Sequence, residues 1–432
     1  MGFAQGVSGL NAAASNLDVI GNNIANSGTI GFKSGGVQFS DVYAGSKIGL
    51  GSKVSSIVQN FAAGSIQTST RALDVAILNG DGFFRLASPG GEISYSRNGQ
   101  FDMDKNGFIV NSAGLRLTGY QVGANGAIAG GSPSALQLPT ASMTPNSTQN
   151  ISAQFNLDSR SVAPAAAFDP NNSLTYNYAN SVTVYDSLGN PHELSTYFVK
   201  DPAPAVNAWK VYATADGWPL DGATGAKVAP DAVDPTKPAT NGTSFGAAVF
   251  NSNGTLALDA AGVVVNPPNG KLDFGSLTFG NGSSPMVYSM DLTGTTQFGS
   301  PNDVKKLTQD GYTSGVLTAM SINQDGTLVG KYSNEQTKTL GQIVLSSFAN
   351  PNGLQSKGDN VWSETAMSGQ PLTGTPGAGT KLGALASGAL ESSNVDLTAE
   401  LVNLIIAQRT YQANSQTVKT QDQVMQTLMN MR

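Results

Sequence analysis

Asp102-Met103-Asp104-Lys105-Asn106-Gly107 puts oxygen-bearing side chains at the first, third and fifth positions and a glycine at the sixth, the opening of a helix–loop–helix calcium site. Such a site also needs a bidentate carboxylate at the twelfth position, where this chain has Ala113, and helical flanks, where Phe101 and Phe108-Ile109-Val110 read as strand. The six residues are therefore read as a hairpin turn. His192-Glu193 begins a zinc-protease pattern that requires a second histidine four residues after the first, and position 196 is Thr. Asn190-Pro191 just ahead is turn chemistry, which places His192 in a surface turn or hairpin. Among 432 residues it is the single histidine, and there is no cysteine. A three-histidine metal site, a disulfide, an iron–sulfur cluster and a cysteine nucleophile are excluded, and a Ser-His-Asp triad would have to pass through His192. No strand pattern is followed by GxGxxG or GxxxxGK[ST], so the 51 glycines serve turns rather than phosphates. Spacing nominates no carboxylate pair for glycoside hydrolysis among the 29 acidic residues. The expectation is a chain that is no enzyme and carries neither cofactor nor metal.

Charge narrows the class further. Only 12% of residues are charged, the net charge is −6, and Lys and Arg form no cluster, which argues against nucleic acid as a partner. The longest apolar run near either end, Leu401-Val402-Asn403-Leu404-Ile405-Ile406-Ala407, is too short to span a bilayer, so no membrane insertion is expected. Residues 1–32 carry one charge, Asp18, and no basic start, so no cleaved secretory signal is expected and export would need another route. Hydrophobic residues at 39% suffice for packed cores in about two to four domains.

The elements follow from periodicity. Phe3, Val7, Leu10, Ala14, Leu17, Gly21 and Ile24 alternate spacings of four and three, the narrow seam of a coiled coil. Leu397, Leu401, Leu404, Gln408, Tyr411, Ser415, Val418, Asp422, Met425 and Met429 repeat that spacing at the other end, behind Ser393 and Asp396 placed as a capping box. Helices at the ends of a β-rich chain have no helical layer to pack on, so they are expected to pack on each other, with the polar seam positions fixing register or serving a larger assembly. Between them, strand alternation such as Leu73, Val75 and Ile77 is broken by Asn79-Gly80-Asp81-Gly82, Pro89-Gly90-Gly91, Asn98-Gly99 and Asn106-Gly107, the rhythm of a meander or barrel.

The expected fold class is mainly β with α-helical termini, in a nested, discontinuous plan. Terminal helices occupy 1–30 and 394–432, and extended Gly/Ser/Ala-rich linkers occupy 31–70 and 368–393. A middle β domain takes 71–147 and 291–367, and an inserted outer β domain takes 148–290. That insert holds 11 acidic against 6 basic residues, nearly all of the net charge, and Trp209 and Trp218.

The chain ends also carry a resemblance. Ser8-Gly9-Leu10-Asn11-Ala12, Asn22-Asn23-Ile24-Ala25-Asn26 and Gly31-Phe32-Lys33 closely resemble the N-terminal signature of bacterial flagellar rod and hook proteins, and Glu391-Ser392-Ser393-Asn394-Val395-Asp396-Leu397 with Gln408-Arg409-Thr410-Tyr411-Gln412-Ala413-Asn414 resemble its C-terminal partner. Leu73-Asp74-Val75-Ala76 and Gly80-Asp81-Gly82-Phe83-Phe84 are shared with rod proteins. Val182 through Asn190, Tyr332 through Thr337 and Gly358 through Trp362 resemble the hook type, as does the length. The resemblance implies a self-assembling structural subunit of a curved tube that acts as a universal joint between motor and filament. Its implied partners are other copies, rod and hook-associated junction proteins, a hook cap and the flagellar type III export apparatus, and its implied place is the hook, outside the cell. It also implies that the helices line the inner tube, so the contact residues expected between subunits are Phe3, Val7, Leu10, Leu17, Ile24, Leu397, Leu401, Leu404, Tyr411, Val418, Met425 and Met429. A distal rod or hook-associated junction protein of the same family is the alternative, and a secreted β-rich hydrolase is the remote one.

Overall fold

A computed structural model describes residues 2–42, 51–123, 126–201, 207–257 and 270–430. The chain is mainly β with a helix at each end, in two compact units, Met1–Ala141 with Leu317–Arg432, and Ser142–Val316.

In the first unit, helix α1 spans Gly2–Ala25 and helix α2 spans Leu397–Asn430. Glycines at 6, 9 and 21, inside α1, each cost about 1 kcal/mol of helix propensity relative to alanine, so its stability must come from packing. At 34 residues α2 is about 50 Å long. Its cap is Asp396 alone, whose Oδ1 accepts the amides of Thr398 at 2.9 Å and Ala399 at 3.1 Å. Ser393 instead accepts the Val395 amide at 3.3 Å, so the expected capping box is not formed: the helix begins one turn too late for it.

The body of this unit is a sheet whose central strands, Arg116–Gln121, Phe83–Ala87 and Ile93–Ser96, come from the first half of the chain. The second half flanks them on both sides, with Leu317–Ile322, Thr327–Tyr332 and Thr337–Ile343 on one and Val361–Ser363 and Gln355–Gly358 on the other, every neighbour antiparallel. Phe83, Tyr95, Phe348 and Trp362 form a buried aromatic core, joined by Phe61 edge-on to Phe83 at 5.4 Å.

The described residues of segments 31–70 and 368–393, expected as linkers, include paired strands. Gly35–Asp41 pairs with Ser52–Gln59, Ile66–Thr68 with Ala389–Glu391, and Val75–Leu78 with Ala384–Ser387, all antiparallel. Residues 43–50 of the first segment lie outside the described residues. Two of these pairings join strands some three hundred residues apart, and short Gly/Ser/Ala strands of that kind carry no alternation strong enough to announce themselves.

Among the described residues the second unit has two five-stranded sheets. One is built around Asn150–Asp158, the other around Pro191–Lys200 and Ala208–Ala215. Phe155, Phe198, Trp209, Val211, Phe274 and Met290 from the two sheets meet in one core, where Trp209 Nε1 donates to Gln297 Oε1 at 2.9 Å. This unit runs from 142 to 316, wider than the 148–290 expected from composition. Thr296–Phe298 and Asp303–Gln309 pair with Asn150–Asp158 rather than resuming the first unit. The apolar residues of Asp303-Val304-Lys305-Lys306-Leu307 are three apart, so the sequence neither alternates as a strand nor says which sheet receives it.

Candidate assembly interface on the paired terminal helices

The two helices lie antiparallel in the first unit. Gly6 meets Val418, Gly9 meets Asn414, and Asn23 donates to Glu400 Oε1 at 3.4 Å. A Cβ at Gly6 would stand 2.9 Å from Val418 Cγ2, and one at Gly9 2.8 Å from Asn414 Oδ1. The seam is therefore one of small residues at spacings of three and four, Gly6, Gly9 and Ala13, which lets the backbones approach closely. Ala407 on α2 and Ala12, Ala13, Ile20 and Asn23 on α1 are buried.

Apart from Val418, which lies on both, this seam lies one residue away from the apolar stripes read from sequence. Of those stripes, Phe3 and Val7 on α1 and Leu397, Leu401, Tyr411, Met425 and Met429 on α2 are exposed, while Leu10, Leu17, Ile24 and Leu404 are half-buried. Val418 is half-buried against Gly6. The helices do pack on each other, but through small residues, and the large apolar side chains are left beside the contact. Val402, Ile405, Ile406 and Val424 widen the open α2 surface. Residues missed by the apolar period, Gly6, Gly9 and Ala13, have their own signal in small residues three and four apart.

Where the chain passes between helix and body, polar groups hold both crossings. Asn23 and Gly35 exchange two hydrogen bonds of 2.8 Å, and Asn394 accepts the Ser34 amide at 2.8 Å while donating to Asn60 O at 2.7 Å. Lys33, Arg97 and Glu391 are buried together. Lys33 Nζ lies 2.7 Å from Glu391 Oε1, and Arg97 Nη1 3.6 Å from Oε2. Burial pushes the Lys33 ammonium and the Arg97 guanidinium below their ordinary values, against the attraction of Glu391.

The other sequence candidates have structural partners. Asp104 Oδ1 accepts the amides of Asn106 and Phe108 at 2.8 Å each and closes a hairpin turn, and Asp102 pairs with Arg71 outside it. His192 follows Pro191 in the strand Pro191–Lys200 and pairs with Val184 of Tyr178–Tyr185, the hairpin expected, but with its side chain only 13% exposed it is more enclosed than a surface turn would leave it. Its Nδ1 lies 2.9 Å from Asp216 Oδ2, its Nε2 3.4 Å from Asp186 Oδ2, and its ring stacks on Phe279 at 3.4 Å. Both ring nitrogens face carboxylates, so neither is placed to take a proton from a nucleophile.

Four stretches of the chain match families of known proteins. Residues 5–33 match the Flagella basal body rod protein family, 77–156 the Flagellar hook protein FlgE/F/G D1 domain, 156–312 the Flagellar basal body protein FlaE D2 domain, and 386–431 the Flagellar basal body rod FlgEFG protein C-terminal family. The chain is 47% identical over 443 residues to the flagellar hook protein FlgE of Escherichia coli (strain K12), covering all of both chains. It belongs to the flagellar hook protein family. The hook protein of Salmonella typhimurium is 46% identical over the whole of both chains, and that of Borreliella burgdorferi 32% identical over 99% of this chain and 98% of its own. A solved structure, the hook protein FlgE2 of Helicobacter pylori, covers 76% of this chain and 99% of its own at 14% identity with a TM-score of 0.49, a likeness too distant to add to the assignment. As a hook protein the chain is a structural subunit rather than an enzyme, and the family implies self-polymerisation within the flagellum.

Proposed function

We propose that copies of this hook subunit polymerise through the apolar surface that α1 and α2 leave open. Phe3, Val7, Leu397, Leu401, Tyr411, Met425 and Met429 carry contacts between copies, the half-buried Leu10, Leu17, Ile24 and Leu404 line the edge of the intramolecular seam, and Val418 packs within it. The helices then form the inner tube, the sheet of the first unit the surrounding shell, and the second unit the outward domain. The polymer is a curved tube that transmits motor torque to the filament as a universal joint. Its further partners are rod and hook-associated junction proteins, the hook cap and the flagellar type III export apparatus, which delivers it outside the cell.

The observation that carries this reading is the separation of two stripes on one helix pair. A seam of small residues joins the pair, and the row of large apolar side chains beside it stays exposed in a lone chain. The test is the double variant Leu401→Glu and Ile405→Glu, both exposed positions. Negative-stain microscopy and sedimentation are expected to show loss of tubes, with thermal unfolding of the monomer unchanged. Tubes of normal number and length from the double variant would sink the proposal.

A further inference from the structure

The first unit contains a buried charge cluster that the assembly surface does not use. Glu391 sits at the end of the strand Ala389–Glu391, just before α2, and touches three separate parts of the chain. Its Oε1 accepts from Lys33 Nζ at 2.7 Å and from the Gly64 amide at 2.9 Å, its Oε2 faces Arg97 Nη1, and its main-chain oxygen accepts the Gly31 amide at 2.8 Å. Lys33 also donates to Ala62 O at 2.7 Å, and Arg97 Nη2 to Gly80 O at 3.1 Å with its guanidinium 5.0 Å from the Phe83 ring centre. One carboxylate thus binds the outgoing crossing from α1, the returning crossing to α2, and the aromatic core of the sheet.

As a source of stability this arrangement is poor. Two cations share one anion, all three are removed from water, and apolar side chains of similar volume in such a place are commonly as stabilising or more so. What the ions supply is direction. An ammonium and an amide hydrogen-bond one oxygen of the carboxylate while a guanidinium faces the other at 3.6 Å, a directional arrangement, whereas apolar contacts tolerate sliding. We propose that Lys33, Arg97 and Glu391 form a clamp that fixes the two helix-to-strand crossings to the sheet in one register. The clamp belongs to the single chain and does not depend on the assembly proposed above.

Two main-chain bonds report on the junction and survive any side-chain change there, Gly31 N to Glu391 O and Ser392 N to Ser65 O, each 2.8 Å. Hydrogen exchange of the full chain at these two amides is compared with exchange along the strand Phe83–Ala87. Glu391→Gln is expected to cost the two junction amides at least about tenfold in protection. The apolar triple variant Lys33→Met, Arg97→Met and Glu391→Met tests the clamp where the single variant unfolds. It is expected to unfold no more readily than the natural chain, to keep protection along Phe83–Ala87, and still to lose about tenfold at Gly31 and Ser392. Natural protection at both junction amides in the triple variant overturns the proposal. Failure of the triple variant to fold overturns it too, because the ions would then be supporting the body rather than setting a register.

Discussion

Asp186 has no side-chain exposure, yet it is held ionised well below the usual carboxylate range. Burial pushes its carboxyl up, but hydrogen bonds from Asn190, Asn281 and His192 outweigh that push. The folded value therefore lies below the unfolded value of about 3.9, so the stability from these bonds is complete above that pH and is lost as pH falls through the folded value. Thermal unfolding followed by circular dichroism is expected to show the 142–316 unit losing stability below about pH 4. Asp186→Asn should be less stable at neutral pH and lose less on acidification; parallel acid profiles for the two chains would contradict this role. His192, legible in sequence only as a lone histidine next to turn chemistry, owes its surroundings to Asp216 and Phe279, residues 24 and 87 positions on. Sequence spacing has no access to such contacts. Gly6 makes the complementary point at the helix seam. Gly6→Leu gains propensity but drives three more carbons toward Val418 Cγ2, already 2.9 Å from a Cβ alone. Separation of the helices, read as lost amide protection along α1, is the expected result; unchanged protection would mean that the seam does not depend on close approach.

At the level of elements, the heptads correctly announce a helix at each end and misplace its inward face by one residue. The reason is physical. Apolar period marks the face with the largest transfer free energy to gain, and on these helices that face is not the one used within the chain. Small residues carry the internal seam because they permit close backbone approach, a property that a hydropathy pattern does not register. The paired strands at 66–68 and 389–391 are illegible for a related reason, since each is three residues long and its only strand partner is the other, more than three hundred residues away. The register of the helix pair has a further consequence. With Gly6 at Val418 and Gly9 at Asn414, α1 is exhausted near residue 421 of α2, and Asp422, Val424, Met425 and Met429 beyond it are exposed. Such an unpartnered helix end is marginal in water. Hydrogen exchange is expected to find little protection after residue 422 in the monomer and a rise of at least about tenfold in polymer. Equal protection in both states would remove this segment from the contacts between copies.

For the whole molecule, charge and partition coincide more closely than composition alone indicated. Residues 142–316 hold 14 acidic and 8 basic side chains and so account for the entire net charge of −6, while the remaining residues hold 15 of each. The unit that carries the helices is neutral overall, which removes long-range repulsion from the surface where copies would bury apolar side chains. The acidic unit works in the opposite sense. Polymerisation gathers many copies of a −6 domain and must work against their mutual repulsion, which acts over about 10 Å at 0.1 M salt and about 30 Å at 0.01 M. Apolar burial between helices is not weakened by simple salt over this range, so screening leaves the attraction intact and lowers the opposition. Light scattering at fixed protein concentration is therefore expected to show assembly becoming faster and more complete as sodium chloride rises from about 0.01 M to about 0.2 M. A variant with Asp231, Asp234 and Glu193 changed to Asn, Asn and Gln should assemble in low salt nearly as the natural chain does in high salt. Assembly that weakens as salt is added would mean that ion pairs between copies, rather than open apolar helix faces, hold the polymer together.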